Sequence, residues 1–497
     1  MSIVEATPAA ASRAAATGRW APALGLSIYT LVLCALATRG GLWGDEGFTA
    51  GMVRLPWRTM VTDLGHIDVN MGFYYAVVKV VTTLVGSTGE MALRLPSVLA
   101  TAGSVLLVAR AAVRWLGHRS GTTAAVVFAV HPFTMVLALT ARPYALLVLG
   151  GLLSATAVLR AVQRGRVVDW AMWVTSAGLL LYVHLLGALI IAAQVLYAAA
   201  RVRGRDRWRA AGALVALAAA AIPTAVFLAP ADTLSWVAPV TLRSSLVVAE
   251  TVVGGRLFGA VLVAFAALGA LRLARGRSPH PGLLISLLVV PILAVAALLP
   301  VQSLLVDFYL APVIAPMCLL TAHGIGLLAD RRWRLGAGAA LLAAAAVSTG
   351  PKVADASLAA PQDWRAAGPR LAALVGPEDM VGFPDAFYRI VAEYYPTGDV
   401  HDEAGATIRD DWRVAGPVLP AAPWGSLRPY QLDRIKRLGL QSAPNVVTAQ
   451  VGTARSVWLV GPDEPLLQAA VADLSGHGHR VVETVRLRGV MLVHLTS

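Results

Sequence analysis

The sequence predicts a polytopic α-helical membrane protein carrying a C-terminal α/β domain, and three observations predict it. Of the 497 residues, 57% are hydrophobic and only 14% charged, against roughly 25% charged in a soluble globular chain. The arginines fall in short clusters between apolar stretches, at Arg13/Arg19, Arg110/Arg114/Arg119, Arg160/Arg164/Arg166, Arg201 to Arg209, Arg272/Arg275/Arg277 and Arg331/Arg332/Arg334. That is how cytoplasmic loops read in membrane proteins. Beyond residue 350 short apolar runs ("DMVGFP", "SVWLVG", "RVVETVRLRGVMLVHL") alternate with helical stretches such as "PLLQAAVADLSG", the pattern of an α/β layer.

The net charge of +13 is carried largely by those loops, so nucleic acid is not an expected partner. The two cysteines, Cys34 and Cys318, both sit in apolar runs, which excludes a disulfide framework and a cysteine metal site.

Threading the chain follows from the clusters. Residues 1–20 are Ala-rich and polar and read as a disordered cytoplasmic tail. If all six clusters face the cytoplasm, two crossings separate each from the next. The first span falls near 22–40. Between it and Arg110 only one more crossing fits, although both 72–86 and 94–113 are apolar. The former is about 15 residues long and holds Lys79, short of the roughly 20 a span needs. It is therefore expected flat at the outer interface, with 94–113 as the second span. The remaining spans are expected at 121–140, 144–160, 169–184, 185–200, 210–229, 255–271, 283–299, 308–328 and 335–349. The result is a transmembrane domain over 21–349 with about 11 helices, a long external loop at 41–93, and an extracytoplasmic α/β domain at 350–497. No Gly-rich fingerprint occurs in that domain, so a soluble nucleotide-sugar site is not expected.

The external loop opens with "GLWGDEGFTA", where Asp45 and Glu46 stand side by side at the membrane edge. Carboxylates are costly there. One reading is a pair of acids at the start of a surface helix. The loop also offers His66, Asp68 and Asn70 in "HIDVN", then Tyr74 and Tyr75. Three carboxylates, an imidazole and Trp43 gathered at a bilayer surface suit general-base chemistry on a substrate held partly in lipid. His66 and Asp68 are also metal-ligand types, but two at i, i+2 define no site, so a metal, a divalent cation included, is left open.

Further on, "TARPYAL" places Arg142 and Tyr144 at the outer surface, with Pro143 suited to a helix start. Arg142 departs from the positive-inside pattern, and a guanidinium at that depth fits a phosphate bidentately; the plainer reading is an arginine snorkelling to headgroups. Arg94 enters span two from outside, either holding an acid of the loop or anchoring the helix. His184, in "YVHLLG", lies at the outer end of the fifth span, where hydrogen bonding to neighbouring helices competes with a functional role.

Taken in order, W-x-D-E-x-x-T, the acidic stretch leading to Tyr74–Tyr75, "RLPS", "ARPYAL" and "YVHLLG" resemble the GT-C glycosyltransferases of the protein O-mannosyltransferase and lipid-A aminoarabinose transferase type (glycosyltransferase family 39). These use polyprenyl-phosphate sugars. The stretch "QDWRAAGPRLAALVGPEDMV" is similar to the start of the external domain in actinobacterial members.

The resemblance implies a GT-C fold in the bacterial cytoplasmic membrane with the active site outside. It implies an inverting transfer of a sugar, mannose first, from a polyprenyl-phosphate donor to a hydroxyl of a glycan, glycolipid or protein acceptor. It makes Asp45 the base, Glu46 a positioning or polarising group, and Arg142 with Tyr144 the holders of the lipid phosphate. Arg94, His66, Asp68, Tyr74, Tyr75 and His184 join as candidate substrate and phosphate contacts.

Two departures stand out. Family members commonly carry Pro-Pro where this chain has "NMG" (70–72), and many carry an arginine where it has Phe308 in "DFYLAP", which shifts phosphate load to Arg142 or Arg94. Competing readings are a transporter or flippase for a lipid-linked glycan, which predicts midplane charges and broken helix pairs, and a non-catalytic protein binding cell-wall glycan.

Overall fold

The computed structural model describes residues 8–65, 68–228, 240–275, 280–301, 304–358, 360–376, 379–395, 413–415, 451 and 454–497, and most of them are helical. In chain order come α1 (Pro8–Ala37), α2 (Gly44–Arg54), α3 (Trp57–Leu64), α4 (Gly72–Val85), α5 (Glu90–Leu116), α6 (Gly121–Val130), α7 (Pro132–Ala138) and α8 (Tyr144–Arg164). Then follow α9 (Val167–Val183), α10 (Gly187–Arg201), α11 (Asp206–Leu228), α12 (Leu242–Val252), α13 (Arg256–Ala274), α14 (His280–Leu298), α15 (Ile314–Gly326) and α16 (Arg331–Ala354). The rest is α17 (Trp364–Leu374), β1 (Met380–Gly382), α18 (Ala386–Tyr394), β2 (Arg413–Ala415), β3 (Ser456–Gly461), α19 (Pro465–Gly476), β4 (Arg480–Leu487) and β5 (Val490–Thr496).

Six helices among the described residues are long and apolar enough to cross a bilayer: 90–116, 144–164, 206–226, 256–274, 307–326 and 331–354. Shorter apolar helices lie at 22–37, 69–85, 167–183, 187–201 and 282–298. Two expectations change. The helix preceding Gly40 begins at Pro8, so residues 8–20 extend it instead of forming a disordered tail; their alanines favour helix intrinsically. The single span expected at 121–140 is two helices, α6 and α7, bent by 67°. The break is at His131, which precedes a proline and is pushed out of helical conformation (φ −59°, ψ 121°). Its Nδ1 accepts the Phe133 N–H at 3.2 Å, capping the new start.

The bundle is held by close approach and buried polar links. Gly269 of α13 and Gly324 of α15 bring two backbones together: a Cβ on either would lie 2.1 or 2.0 Å from the facing carbonyl oxygen of Leu320 or Phe265. Small residues allow such contact where lipid removes the hydrophobic drive between helices. Gln194 accepts from Ser154 (2.7 Å) and Trp173 Nε1 (2.6 Å), tying α8, α9 and α10.

The C-terminal sheet has order β2-β1-β3-β5-β4, with β1 parallel to β2 and β3, and β5 antiparallel to β3 and β4. Leu467, Ala470 and Leu474 of α19 cover one face through Val457, Leu459 and Leu495. The other face packs under α17 and α18, in a core that also contains Phe48 and Met52 of α2 and Tyr74, Tyr75 and Val78 of α4. Helices α2 and α4 and the C-terminal layer thus share one core.

Gly47 is the closest point of that contact. A Cβ there would lie 2.6 Å from Val391 Cβ and 2.9 Å from its Cα. Gly47→Val is therefore expected to force α18 away from α2, at about 1–3 kcal/mol, seen as a lower unfolding temperature of the purified protein and lower activity, since Asp45 lies on the same helix.

Candidate active site

Asp45 and Glu46 occupy the first turn of α2, where the helix dipole favours anions, yet they face different partners. Glu46 is fully buried. Its carboxylate accepts from Arg94 Nε (2.8 Å) and Nη2 (2.6 Å), from the Ala141 N–H (2.6 Å), and from the Trp43 N–H (3.4 Å). Arg94 spends its remaining N–H groups on the carbonyls of Ala37 (2.7 Å), Gly40 (2.7 Å) and Gly41 (2.8 Å). A guanidinium has five N–H donors, so Arg94 keeps none for a phosphate. Expected among the phosphate contacts, it is instead a clamp joining the end of α1, the start of α2 and the segment before α8.

That clamp places Arg142. Ala141 is pinned by Glu46 at its N–H and by Thr49 Oγ1 at its carbonyl (3.1 Å), and the Arg142 carbonyl accepts from Ser97 Oγ (3.3 Å). The Arg142 side chain, 12% exposed, faces Asp45 with Nε 3.4 Å from Oδ2; the Asp45 side chain is 31% exposed. Tyr144, Tyr75 and Asp68 lie within electrostatic reach of the same guanidinium. Asp68 accepts from the Tyr75 hydroxyl at 3.0 Å. Burial and then the Asp68 charge push the Tyr75 phenol well above its ordinary range, so it stays a donor. Tyr74, also buried, packs on Tyr75 with ring centroids 5.4 Å apart.

Tyr144, His184 and Tyr309, within electrostatic reach of Arg142, belong to a cluster of rings. Phe308, where the resembling family carries arginine, stacks on Tyr144 at 4.8 Å and on Trp43 at 6.5 Å, with Phe133 at 5.4 Å. His184 joins at 5.4 Å from Tyr144 and 6.0 Å from Tyr309. Its Nδ1 accepts the Leu186 N–H at 3.2 Å, which assigns the ring proton to Nε2 and leaves that edge to act as a donor. Phe133, Phe308 and Tyr309 are not among the candidates read from the sequence; they come from distant segments, and only Phe308 stood out there, as the place of an arginine in the resembling family. His66 lies outside the described residues.

Two buried donors here, Trp43 Nε1 and Arg142 Nε, have no hydrogen-bond partner among the described residues. Buried donors normally find acceptors, and oxygens of a phosphate or sugar would supply them.

The C-terminal layer reaches the same place. Gln362 Oε1 accepts from Trp364 Nε1 (2.8 Å) and from the Gly44 N–H (3.4 Å), at the N-terminus of the helix that carries Asp45. Tyr395 receives the Leu42 N–H (2.5 Å) and donates to Glu90 (2.6 Å). The site is a carboxylate and a guanidinium set against each other, with a cluster of aromatic rings joined to it through Tyr144.

Comparison with known proteins agrees with this architecture. Residues 72–229 match the sequence profile of the dolichyl-phosphate-mannose-protein mannosyltransferase family. No curated protein matches the chain by sequence. Among solved structures, ArnT from Cupriavidus metallidurans bound to undecaprenyl phosphate is similar over 96% of this chain and 98% of its own, at 15% identity and a TM-score of 0.60. The apo form of that protein is similar over 97% and 98%, at 18% identity and a TM-score of 0.58. The arabinofuranosyltransferase AftD from Mycobacteria is similar over 95% of this chain and 41% of its own, at 15% identity and a TM-score of 0.50. The chain therefore shares the fold of these polytopic GT-C membrane proteins, and its stretch from α4 to α11 carries the match to the mannosyltransferase family profile.

Proposed function

We propose that the chain is an inverting glycosyltransferase moving a sugar, most simply mannose, from a polyprenyl-phosphate donor to an acceptor hydroxyl at the outer face of a bacterial cytoplasmic membrane. The observation that carries the reading is the Asp45–Arg142 pair, 3.4 Å apart with the guanidinium buried and the carboxylate partly open. Asp45 takes the proton of the acceptor hydroxyl as its oxygen bonds to the anomeric carbon. The bond from that carbon to the phosphate oxygen breaks, and its electron pair leaves with the polyprenyl phosphate. Arg142 meets the growing negative charge, stabilising the transition state more than the ground state. Tyr144 and His184 Nε2 flank the phosphate, and Asp68 with Tyr75 borders the sugar.

The ion pair gives the site an order of events. A donor phosphate that engages Arg142 competes with Asp45 for the same cation, so donor binding frees the base. Mannose rests on the family match over 72–229, and the lipid phosphate on the undecaprenyl phosphate bound by the similar ArnT structure. The acceptor is assigned only to its class, a hydroxyl on a glycan, glycolipid or protein.

The test is transfer by membranes containing the chain from a panel of radiolabelled donors: polyprenyl-phosphate mannose, polyprenyl-phosphate arabinose and GDP-mannose. Transfer from a polyprenyl-phosphate sugar and none from GDP-mannose is expected. Transfer from GDP-mannose with the polyprenyl route chemically blocked overturns the donor class. Arg142→Gln is expected to lower transfer about 100-fold or more, the scale seen on removing one preorganised charge-stabilising donor.

A further inference from the structure

A groove of about 350 Å³ lies at the seam between the ends of two apolar helices and the C-terminal layer. It shares no lining residue with the Asp45–Arg142 site. Arg39, just past α1, Asp355 and Ala356, just past α16, Asp363 at the cap of α17, Arg365, and Arg488 in the β4–β5 turn line it. The helices ending there expose Leu31, Val32 and Val347 along their lengths, so the groove opens where apolar helix surface gives way to polar residues, the level of lipid headgroups.

Its charges divide into spent and available. Arg365 is spent: it donates to Glu90 through Nε (2.9 Å) and Nη2, and to the Thr38 carbonyl (3.0 Å). Arg39 makes one long bond, to the Ala354 carbonyl at 3.5 Å. Arg488 donates through Nη1 to the Asp355 carbonyl, its Nη2 stands 3.9 Å from Asp363, and its buried Nε has no hydrogen-bond partner among the described residues. Asp355 uses Oδ1 for Ser357, which leaves its Oδ2 outside these bonds; Asp363 uses Oδ1 for the Ala366 N–H, and its Oδ2 is the atom 3.9 Å from Arg488 Nη2. Arg39 and Asp355 with spare capacity, beside the long Arg488–Asp363 pair that a ligand of both signs can part, complement a ligand that carries both charges.

We propose that this groove is a headgroup site for a zwitterionic phospholipid with a primary ammonium, a phosphatidylethanolamine. Arg39 and Arg488 take the phosphate, and Asp355 and Asp363 take the ammonium. A primary ammonium donates three hydrogen bonds, which a trimethylated headgroup cannot. The site does not depend on the glycosyltransferase reading.

Native mass spectrometry of the purified full-length protein in detergent tests it, with phosphatidylethanolamine, phosphatidylcholine and phosphatidylglycerol of identical chains offered at equal concentration. The phosphatidylethanolamine adduct is expected to exceed each of the others about tenfold, the worth of one charge-assisted hydrogen bond. Asp355→Asn with Asp363→Asn is expected to erase that preference; Asn remains a competent cap at 363. Arg39→Gln, on an exposed side chain, is expected to weaken phosphatidylethanolamine binding without affecting folding. Equal adducts of the three lipids, a preference for phosphatidylglycerol, or no change in Arg39→Gln overturns the proposal. Binding of glycerophosphoethanolamine as strong as that of the whole lipid overturns its assignment to a membrane lipid.

Discussion

Asp45→Asn is expected to cut the rate of sugar transfer about 1,000-fold while leaving donor binding at least as tight as in the wild type. Asn keeps the shape of the side chain and can still accept a hydrogen bond, but it cannot take the acceptor's proton. Loss of a positioned general base costs about 10²–10⁴ in rate. The substitution also removes the carboxylate that stands 3.4 Å from Arg142, so the lipid phosphate no longer competes for that guanidinium. Single-turnover transfer from polyprenyl-phosphate mannose, measured beside equilibrium donor binding, separates the two effects. A parallel loss of binding and rate would make Asp45 a structural acid. Unchanged transfer would remove it from the chemistry.

Arg94→Met has its large effect elsewhere, on folding. The pair with Glu46 is buried, bidentate and tied to three carbonyls and two backbone N–H groups. Removing one member of a buried pair leaves an uncompensated charge and costs about 3–5 kcal/mol. Arg94→Met and Glu46→Leu are each expected to give poor yields and a markedly lower unfolding temperature, with the double substitution recovering part of the loss because no lone charge remains. If Arg94 were instead a phosphate contact, Arg94→Met would fold normally and raise only the donor KM. The contrast with Arg142, whose side chain faces Asp45 and not a set of backbone carbonyls, distinguishes the two arginines by experiment.

These two arginines also show what could and could not be read in the sequence. The helical membrane region and the C-terminal strands were legible because both rest on local patterns: apolar runs punctuated by arginines, and short runs such as "SVWLVG", which forms β3. Asp45 and Arg142 stood out as candidates because a carboxylate and a guanidinium at a membrane edge are expensive unless partnered, and the structure pairs them. The partnership of Glu46 with Arg94 was not, since 48 positions separate them and nothing in either local string selects one arginine over the other.

Phe308 illustrates a second kind of limit. As a letter in "DFYLAP" it registered only as the loss of an expected arginine; in space it stacks on Trp43 and Tyr144 and meets Phe133 at a tilt. The break at His131–Pro132 lay in plain view, because a residue before proline resists helical conformation. Length and hydropathy nevertheless favoured one continuous span. The sharing of a core between α2, α4, α17 and α18 depends on tertiary packing across more than 300 positions, and a boundary drawn at residue 350 does not reveal it.

The central claim is a division of labour: Arg142 holds the lipid phosphate, and Asp45 gives it up to become the base. Binding of undecaprenyl phosphate to wild type, Asp45→Asn and Arg142→Gln, followed by the fluorescence of Trp43 against a Trp43→Phe control, tests it most directly. Affinity should hold or rise in Asp45→Asn and fall about tenfold or more in Arg142→Gln, the loss of at least one charge-assisted hydrogen bond. Equal affinity in all three proteins would contradict the account, since the phosphate would then be held by groups other than Arg142.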